Sequence, residues 1–464
     1  MSHHFTISKY SSDFWEPFQE HSWAYISIQH YIETHPDREE SDIVVITEPS
    51  YTDKDYLIDF ANYYVRCHEN IEKKVKRHHF FYATTDELND LFSQFYSGDT
   101  SKNKRNRLNK LINDKYVGYV IQKPITSGRI GRTVLKRYPD KTKRKHDRCL
   151  EVTKVNTVHL NGITLTINSL PFQEQDSAVA ACATMAIWTA LQALEVIFGV
   201  SVSNTPSEVT ILAYNNFNGL AVSPKFPNVG LSTYQIVDVF YKLGYEVMNY
   251  NVKQLNDKKI QYLLIGYLSQ GYPLIATLYI YEEGKEEPEG HAVAITGYCY
   301  DKKNDAITKL YVHDDQIGPY SCVEFSEGNF LDWTNEWITE RGCKKVKLQG
   351  FIIPLYHKIR LSFTSLYTQV IEDIEDACRK EDPYLIIKPY LINSSLYKKS
   401  LIDDLVPIIG ISKIESILFA ELPKYIWVVR VGKGEFPFRD YIIDATTQLC
   451  EGYLEVNFVN NESE

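Results

Sequence analysis

Apolar residues along this chain follow two rhythms. Asp42-Ile-Val-Val-Ile-Thr47 is a short unbroken apolar run, the mark of a strand buried on both faces. Beyond it Tyr56, Phe60, Tyr63, Tyr64 and Cys67 recur at three- and four-residue spacing, which predicts a helix. A second helix is predicted from Thr85 to Tyr96, opened by a Thr-Asp-Glu cap pattern. Tyr116 to Pro124 reads as a strand. Two short strands, Thr157–Leu160 and Ile163–Ile167, flank Asn161-Gly162, a dipeptide suited to a tight hairpin turn.

The longest apolar stretch, Ala178 to Val202, is interrupted by Thr184, Thr189, Gln192 and Glu195. It suits a buried helix from about Cys182 to Phe198 and is too polar for a membrane span. Thr233–Leu243 carries Ile236, Val239, Phe240 and Leu243 on one helical face. Strand-like runs follow at Tyr272–Ile280, His291–Tyr298 and Lys309–His313. After an apolar strand from 351, a helix is expected from Thr364, as N-cap, to Arg379, then strands near Ile426–Val431 and Tyr441–Ile443. Strands and helices do not strictly alternate, so the expected class is α+β. Three segments are expected: 1–150, 151–350 and 351–464.

Composition narrows the class. The chain has 464 residues, 44% hydrophobic and 24% charged, ordinary for a globular protein and wrong for a disordered or fibrous one. The 34 tyrosines against 3 methionines point to a rigid aromatic interior whose hydroxyls need partners. Eight cysteines are too sparse for a disulfide scaffold, and none has zinc-finger or CxxC spacing. No metal or cofactor is expected. With no apolar run at Met1–Tyr10 and no lipidation motif, the expectation is a cytoplasmic protein without a membrane anchor.

Charge is uneven. The net charge is −10, yet residues 102–148 hold 16 Lys and Arg against Asp114, Asp140 and Asp147. Aromatic residues in this stretch are few (Tyr116, Tyr119, Tyr138), so no platform for stacking bases is evident. A solvated face docking against the acidic remainder is the preferred reading, with nucleic acid as the lesser one.

One series of residues carries chemistry. Cys182 follows a polar, turn-like stretch and opens the long helix. Unpaired N–H groups and the helix dipole there favour a thiolate, the nucleophilic form. Gln175 lies upstream, and Gln173 further still; a side-chain amide at either could stabilise an oxyanion together with the Cys182 N–H. His291 opens a strand apolar on both faces and suits a general base. Leu310-Tyr-Val-His-Asp-Asp315 ends a strand with two carboxylates. Folding 291–314 about residues 302–303 sets His291 opposite Asp314, while a register shifted by one brings Asp315 there instead. His313 points to the other face.

Gln175…Cys182, Gly230-Leu-Ser-Thr-Tyr-Gln-Ile-Val, Gly271-Tyr-Pro-Leu-Ile-Ala276 and His291-Ala-Val-Ala-Ile-Thr-Gly…Tyr311-Val-His-Asp314 occur in the order Gln, Cys, His, Asp. This series resembles papain-like cysteine peptidases, and most closely the bacterial C39-like peptidases, over residues 170–330. Ala183 stands where that pattern usually has Gly. The resemblance implies a Cys-bearing helix packed on an antiparallel sheet carrying His and Asp. It also implies a thiol-dependent hydrolase of peptide or isopeptide bonds, with Cys182, His291, Asp314 and Gln175 as catalytic residues and a peptide or protein as substrate. The flanking segments would recognise substrate or a protein partner. Acyl transfer by the same triad, and a binding module on an inactive core, are the competing expectations.

Overall fold

A computed structural model describes residues 6–19, 22–67, 70–98, 100–142, 146–176, 178–179, 181–199, 204–214, 230–325, 330–332, 343–434 and 436–458. It is a mixed α+β structure whose sheets are antiparallel. Strands β1 (Thr6–Lys9), β2 (Ile43–Tyr51), β3 (Val75–Tyr82), β4 (Tyr116–Gln122) and β5 (Ile130–Leu135) form a first sheet in sequential order. Helices α1 (Glu16–Gln19), α2 (Ala24–Thr34), α3 (Lys54–Asn62), α4 (Thr85–Tyr96) and α5 (Lys102–Lys115) lie in this part of the chain. The periodicity of Tyr56 to Cys67 is realised as α3 followed by a 3-10 turn at Tyr64–Arg66. Helix α4 is capped by Thr84, whose hydroxyl accepts from the Glu87 N–H.

The second sheet contains β6 (Asp147–Cys149), β9 (Tyr245–Asn251), β10 (Leu274–Glu282), β11 (Glu289–Asp301), β12 (Ala306–Asp314), β13 (Gly318–Phe325), β14 (Phe330–Asp332) and β15 (Cys343–Tyr356). Its pairings close on themselves. β10 pairs with β11, each strand to β15 pairs with the next, and β15 pairs back with β10. Closure removes the free edges that the central strands would otherwise present. β15 continues past residue 350 to Tyr356, pairing there with β9. Against the first sheet lies the hairpin β7 (Lys154–Leu160) and β8 (Ile163–Ser169), turning at Asn161-Gly162, both in positive φ as that turn requires. Val158, Leu160, Ile163 and Leu165 of this hairpin share a core with Val44, Phe81 and Val134 of the first sheet.

Helix α6 (Cys182–Phe198) packs between the N-terminal core and the closed sheet. Every residue from Ala183 to Leu191 is buried, which accounts for its lack of a polar stripe. Ala183, Ala186, Ile187, Ala190 and Leu194 pack with Ile275, Ala292 and Ile352 of the closed sheet. On the opposite side Met185 and Trp188 pack into the N-terminal core, and the Trp188 indole N–H donates to Asp55 at 3.2 Å. Gly199 ends the helix in the left-handed region. Helices α7 (Pro206–Tyr214), α8 (Thr233–Lys242) and α9 (Asp257–Leu268) complete this part, α8 being opened by a capping box between Ser232 and Gln235.

The last sheet is β16 (Ile386–Asn393), β17 (Tyr425–Lys433), β18 (Phe436–Asp444) and β19 (Leu454–Asn457). The helix expected to start after Thr364 is capped two residues earlier, because the Ser362 hydroxyl accepts from the Ser365 N–H at 3.1 Å. It passes through a π-helical turn at Tyr367–Ile371 before continuing to Glu381. No helix among the described residues is long and apolar enough to cross a membrane.

The basic stretch divides in two. Arg132 binds Asp55 at 2.6 Å, Lys136 binds Asp37 at 2.7 Å, Arg137 binds Asp140 at 3.0 Å, and Arg148 donates to the Tyr311 hydroxyl. These cations hold the fold together. Lys102, Lys104, Arg105, Arg107 and Lys110 instead stand exposed on α5, a helix that the charge pattern had not disclosed. Lys143, Arg144 and Lys145 lie outside the described residues, as does His3-His4.

Candidate functional site

Cys182 is the first residue of α6. Ala181 precedes it in an extended conformation with no side-chain cap, so the first helical N–H groups stay available to a ligand. A cleft of about 710 Å³ opens there, lined by Cys182, Gln175, Ser232, Tyr279, His291 and Gln349 among others.

His291 sits at the start of the buried part of β11, opposite Leu278 of β10. Its Nε2 lies 3.2 Å from Asp314 Oδ2, and its side chain hydrogen-bonds Cys182. Asp314 is fully buried at the end of β12, and its second oxygen accepts from the Gln316 N–H at 3.0 Å. That bond fixes the carboxylate. Burial works to lower the His291 imidazole, but the Asp314 carboxylate and the Cys182 sulfur outweigh it and raise the pKa well above the ordinary range.

The expected register is corrected. Pairing begins at Asp301↔Ala306 and carries β-bulges near Cys299 and Ile295, so Ala294 faces His313. Continuing that register puts Asp314 level with Val293, diagonal to His291 on the same face. The turn centre falls about one residue later than 302–303, and a diagonal neighbour is still within reach of an imidazole. Asp315 does not take the partner position. It is 3% exposed, lies just past the strand end, and is pushed up to about 8, chiefly by burial. His313 faces the other way into Phe172 and Tyr320, and burial lowers it to about 3.

Gln175 lines the cleft, whereas Gln173 is buried and does not. The segment bearing Gln175 is held by the N-terminal sheet. Phe172 forms a two-way bridge with Thr133, and the Glu174 N–H donates to the Ile130 carbonyl. The Glu174 carboxylate accepts from the Ile130 N–H at 3.1 Å. Burial pushes that carboxyl up to about 7. Asp176 accepts from the Tyr64 hydroxyl at 2.7 Å and from the N–H groups of Ala178 and Val179, with Lys123 Nζ at 3.8 Å. Gly128 presses on this segment: a Cβ added there would lie 2.2 Å from the Gln175 carbonyl oxygen, and its φ is +67°.

Lys123, Gly128, Glu174 and Asp176 escape a sequence reading because most of what they touch lies far away in the chain. Only Asp176 leaves a local trace, as an Asx-type turn ahead of a helix. Among the described residues, the one group of three side chains placed to share a metal ion is His291, Asp314 and Asp315. No family model matches this chain, and no curated protein matches it.

Proposed function

We propose that the protein is a thiol-dependent hydrolase of amide bonds, a cysteine peptidase with a papain-like core. The observation carrying this reading is the continuous contact from Cys182 to His291 to Asp314 at the mouth of a cleft. Asp314 binds Nε2, which leaves Nδ1 as the nitrogen that serves the sulfur. The imidazole holds the proton in the resting site, because the carboxylate and the sulfur both favour its charged form.

Catalysis then proceeds in two halves. The Cys182 sulfur attacks the substrate carbonyl, and the electron pair of the C=O bond moves onto oxygen. The Cys182 N–H and the Gln175 amide donate to that oxyanion. As the tetrahedral centre collapses, the C–N bond breaks and His291 gives its proton to the departing amine. A water molecule, losing its proton to His291, attacks the thioester and releases the acid and the thiol. Asp314 keeps the imidazole oriented throughout.

Seven of the eight cysteines have described side chains, all of them free, and Cys322 is the exposed one among these. Iodoacetamide labelling followed by peptide mass spectrometry compares them directly. Cys182 should react faster than Cys322 despite its lower exposure, and His291→Ala should slow Cys182 alone. Cys182→Ala should abolish hydrolysis of a casein or peptide substrate while the circular dichroism spectrum stays unchanged. Full hydrolysis by that variant would refute the proposal.

A further inference from the structure

Strand β15 carries one residue more than its neighbour where it borders the cleft. Its pairs with β10 run Gly350↔Thr277 and then Leu348↔Leu278, so Gln349 stands between them without a partner on β10. The pairing with β9 begins at Gly350 and that with β14 ends at Lys347, so among the described pairs Gln349 belongs to none. Burial records the extra residue. Val346 and Leu348 enter the main core before the bulge, and Phe351, Ile353 and Leu355 enter it afterwards, so the inward positions change from even to odd. Gly350 permits the close approach, since a Cβ there would lie 2.4 Å from the Tyr250 carbonyl oxygen. The Thr277 hydroxyl donates to the Gly350 carbonyl at 3.4 Å. A bulge of this kind re-aims a side chain. Here the half-buried Gln349 side chain lines the cleft of Cys182, and among the described residues its amide has no hydrogen-bond partner.

We infer that Gln349 is a substrate anchor, whose amide binds a backbone peptide group of an extended chain about three residues from the scissile bond. The inference rests on the proposed hydrolase reading and names its substrate class, a peptide chain rather than a small amide. The distance comes from the sheet. Leu278 pairs with His291 on one side and with Leu348 on the other, so the bulge lies two strands from the base, roughly 10 Å at ordinary strand spacing. An extended chain covers that span in about three residues. The cleft is continuous over it: Gly290 and His291 of β11, Thr277 and Tyr279 of β10, and Gln349 of β15 all line it. The chemistry also fits. A primary amide offers an acceptor oxygen and donor hydrogens, which match the N–H and C=O of a peptide group. Every peptide presents such a group at that distance, whatever its sequence. A contact so far from the reacting carbonyl acts only on substrates long enough to make it.

The test starts from a peptide that the full chain cleaves in a mixed library, shortened one residue at a time from each end. With the parent, kcat/KM should fall about tenfold when trimming on one side leaves fewer than about three residues beside the cut. Gln349→Met keeps the length of the side chain and removes the amide. It should cleave the full-length peptide about tenfold less efficiently in kcat/KM and lose little further on that trimming, so that the two chains agree on the shortest peptides. Alkylation of Cys182 by iodoacetamide, which is too small to reach Gln349 from there, should run at the parent rate in the variant. Equal cleavage of the long peptide by parent and variant would overturn the inference and leave the hydrolase reading standing. A loss in the variant that is the same for long and short peptides would also overturn it, because the short ones cannot make the contact. No cleavage of any peptide by the parent would overturn the hydrolase reading itself and the inference with it.

Discussion

Asp314 lies diagonally across a strand pair from His291 and reaches its Nε2 at 3.2 Å. Removing the carboxylate leaves a buried imidazole with burial as the main influence on its proton. Asp314→Ala should therefore lower kcat by about 10²-fold or more. The alkaline limb of the kcat/KM profile should move to lower pH, because the group that holds the His291 proton is gone. A pH profile whose alkaline limb stays in place would show that Asp314 does not set the imidazole.

Gly128 tests the link between the N-terminal sheet and the site. A side chain there must displace the Gln175 carbonyl or strain its own positive φ. Gly128→Ala should reduce kcat by about 10-fold to 10²-fold through the oxyanion donor. The rate of Cys182 alkylation, which needs no oxyanion, should change little. Stopped-flow alkylation and steady-state hydrolysis on the same sample separate the two effects.

Asp59 makes stability depend on pH. It is 4% exposed, accepts from the Ser207 N–H at 3.0 Å, and is pushed up to about 7, chiefly by burial. Its folded pKa exceeds its unfolded one, so the folded state binds the extra proton between about pH 4 and pH 7. Stability contributed by that proton is complete below the unfolded pKa and is lost as pH rises through the folded one. Asp59→Asn keeps an acceptor for Ser207 and cannot ionise. It should be more stable than the parent at pH 8.5 by about 4 kcal/mol, with the difference gone near pH 4. Urea melts at the two pH values measure this.

The two halves of the basic stretch should respond differently to neutralisation. Arg132→Met strands the buried Asp55, which also holds the Trp188 indole, and should cost on the order of 2–3 kcal/mol. Replacing Lys102, Lys104, Arg107 and Lys110 on α5 by Gln should shift stability by less than about 0.5 kcal/mol, since exposed charges contribute little. Thermal melts of the two variants decide it.

Much of the fold could be read from apolar rhythm because the rhythm reports burial. Ala183 to Leu191 announced a helix surrounded on all sides, and Ala292 to Tyr300 a strand covered on both faces. Helix α5 stayed hidden because only Leu108 and Ile112 are buried on it, too few to stand out among cations. Cys182, His291 and Asp314 stood out in the sequence because each sits at the end of a strongly patterned element. Their register did not, since bulges near Ile295 and Cys299 shift the pairing without any residue that marks them. The clamp on Gln175 was illegible for a different reason: Thr133, Ile130 and Gly128 meet it only through tertiary packing.

The bridge between Thr133 and Phe172 has a consequence for the order in which the molecule is made. The strands that clamp Gln175 leave the ribosome before Cys182 does, and the strands bearing His291 and Asp314 come later still. Under the proposed chemistry the oxyanion donor would be docked first and the base last. A growing chain would then carry a nucleophile with no partner to arm it until more than a hundred further residues had been added.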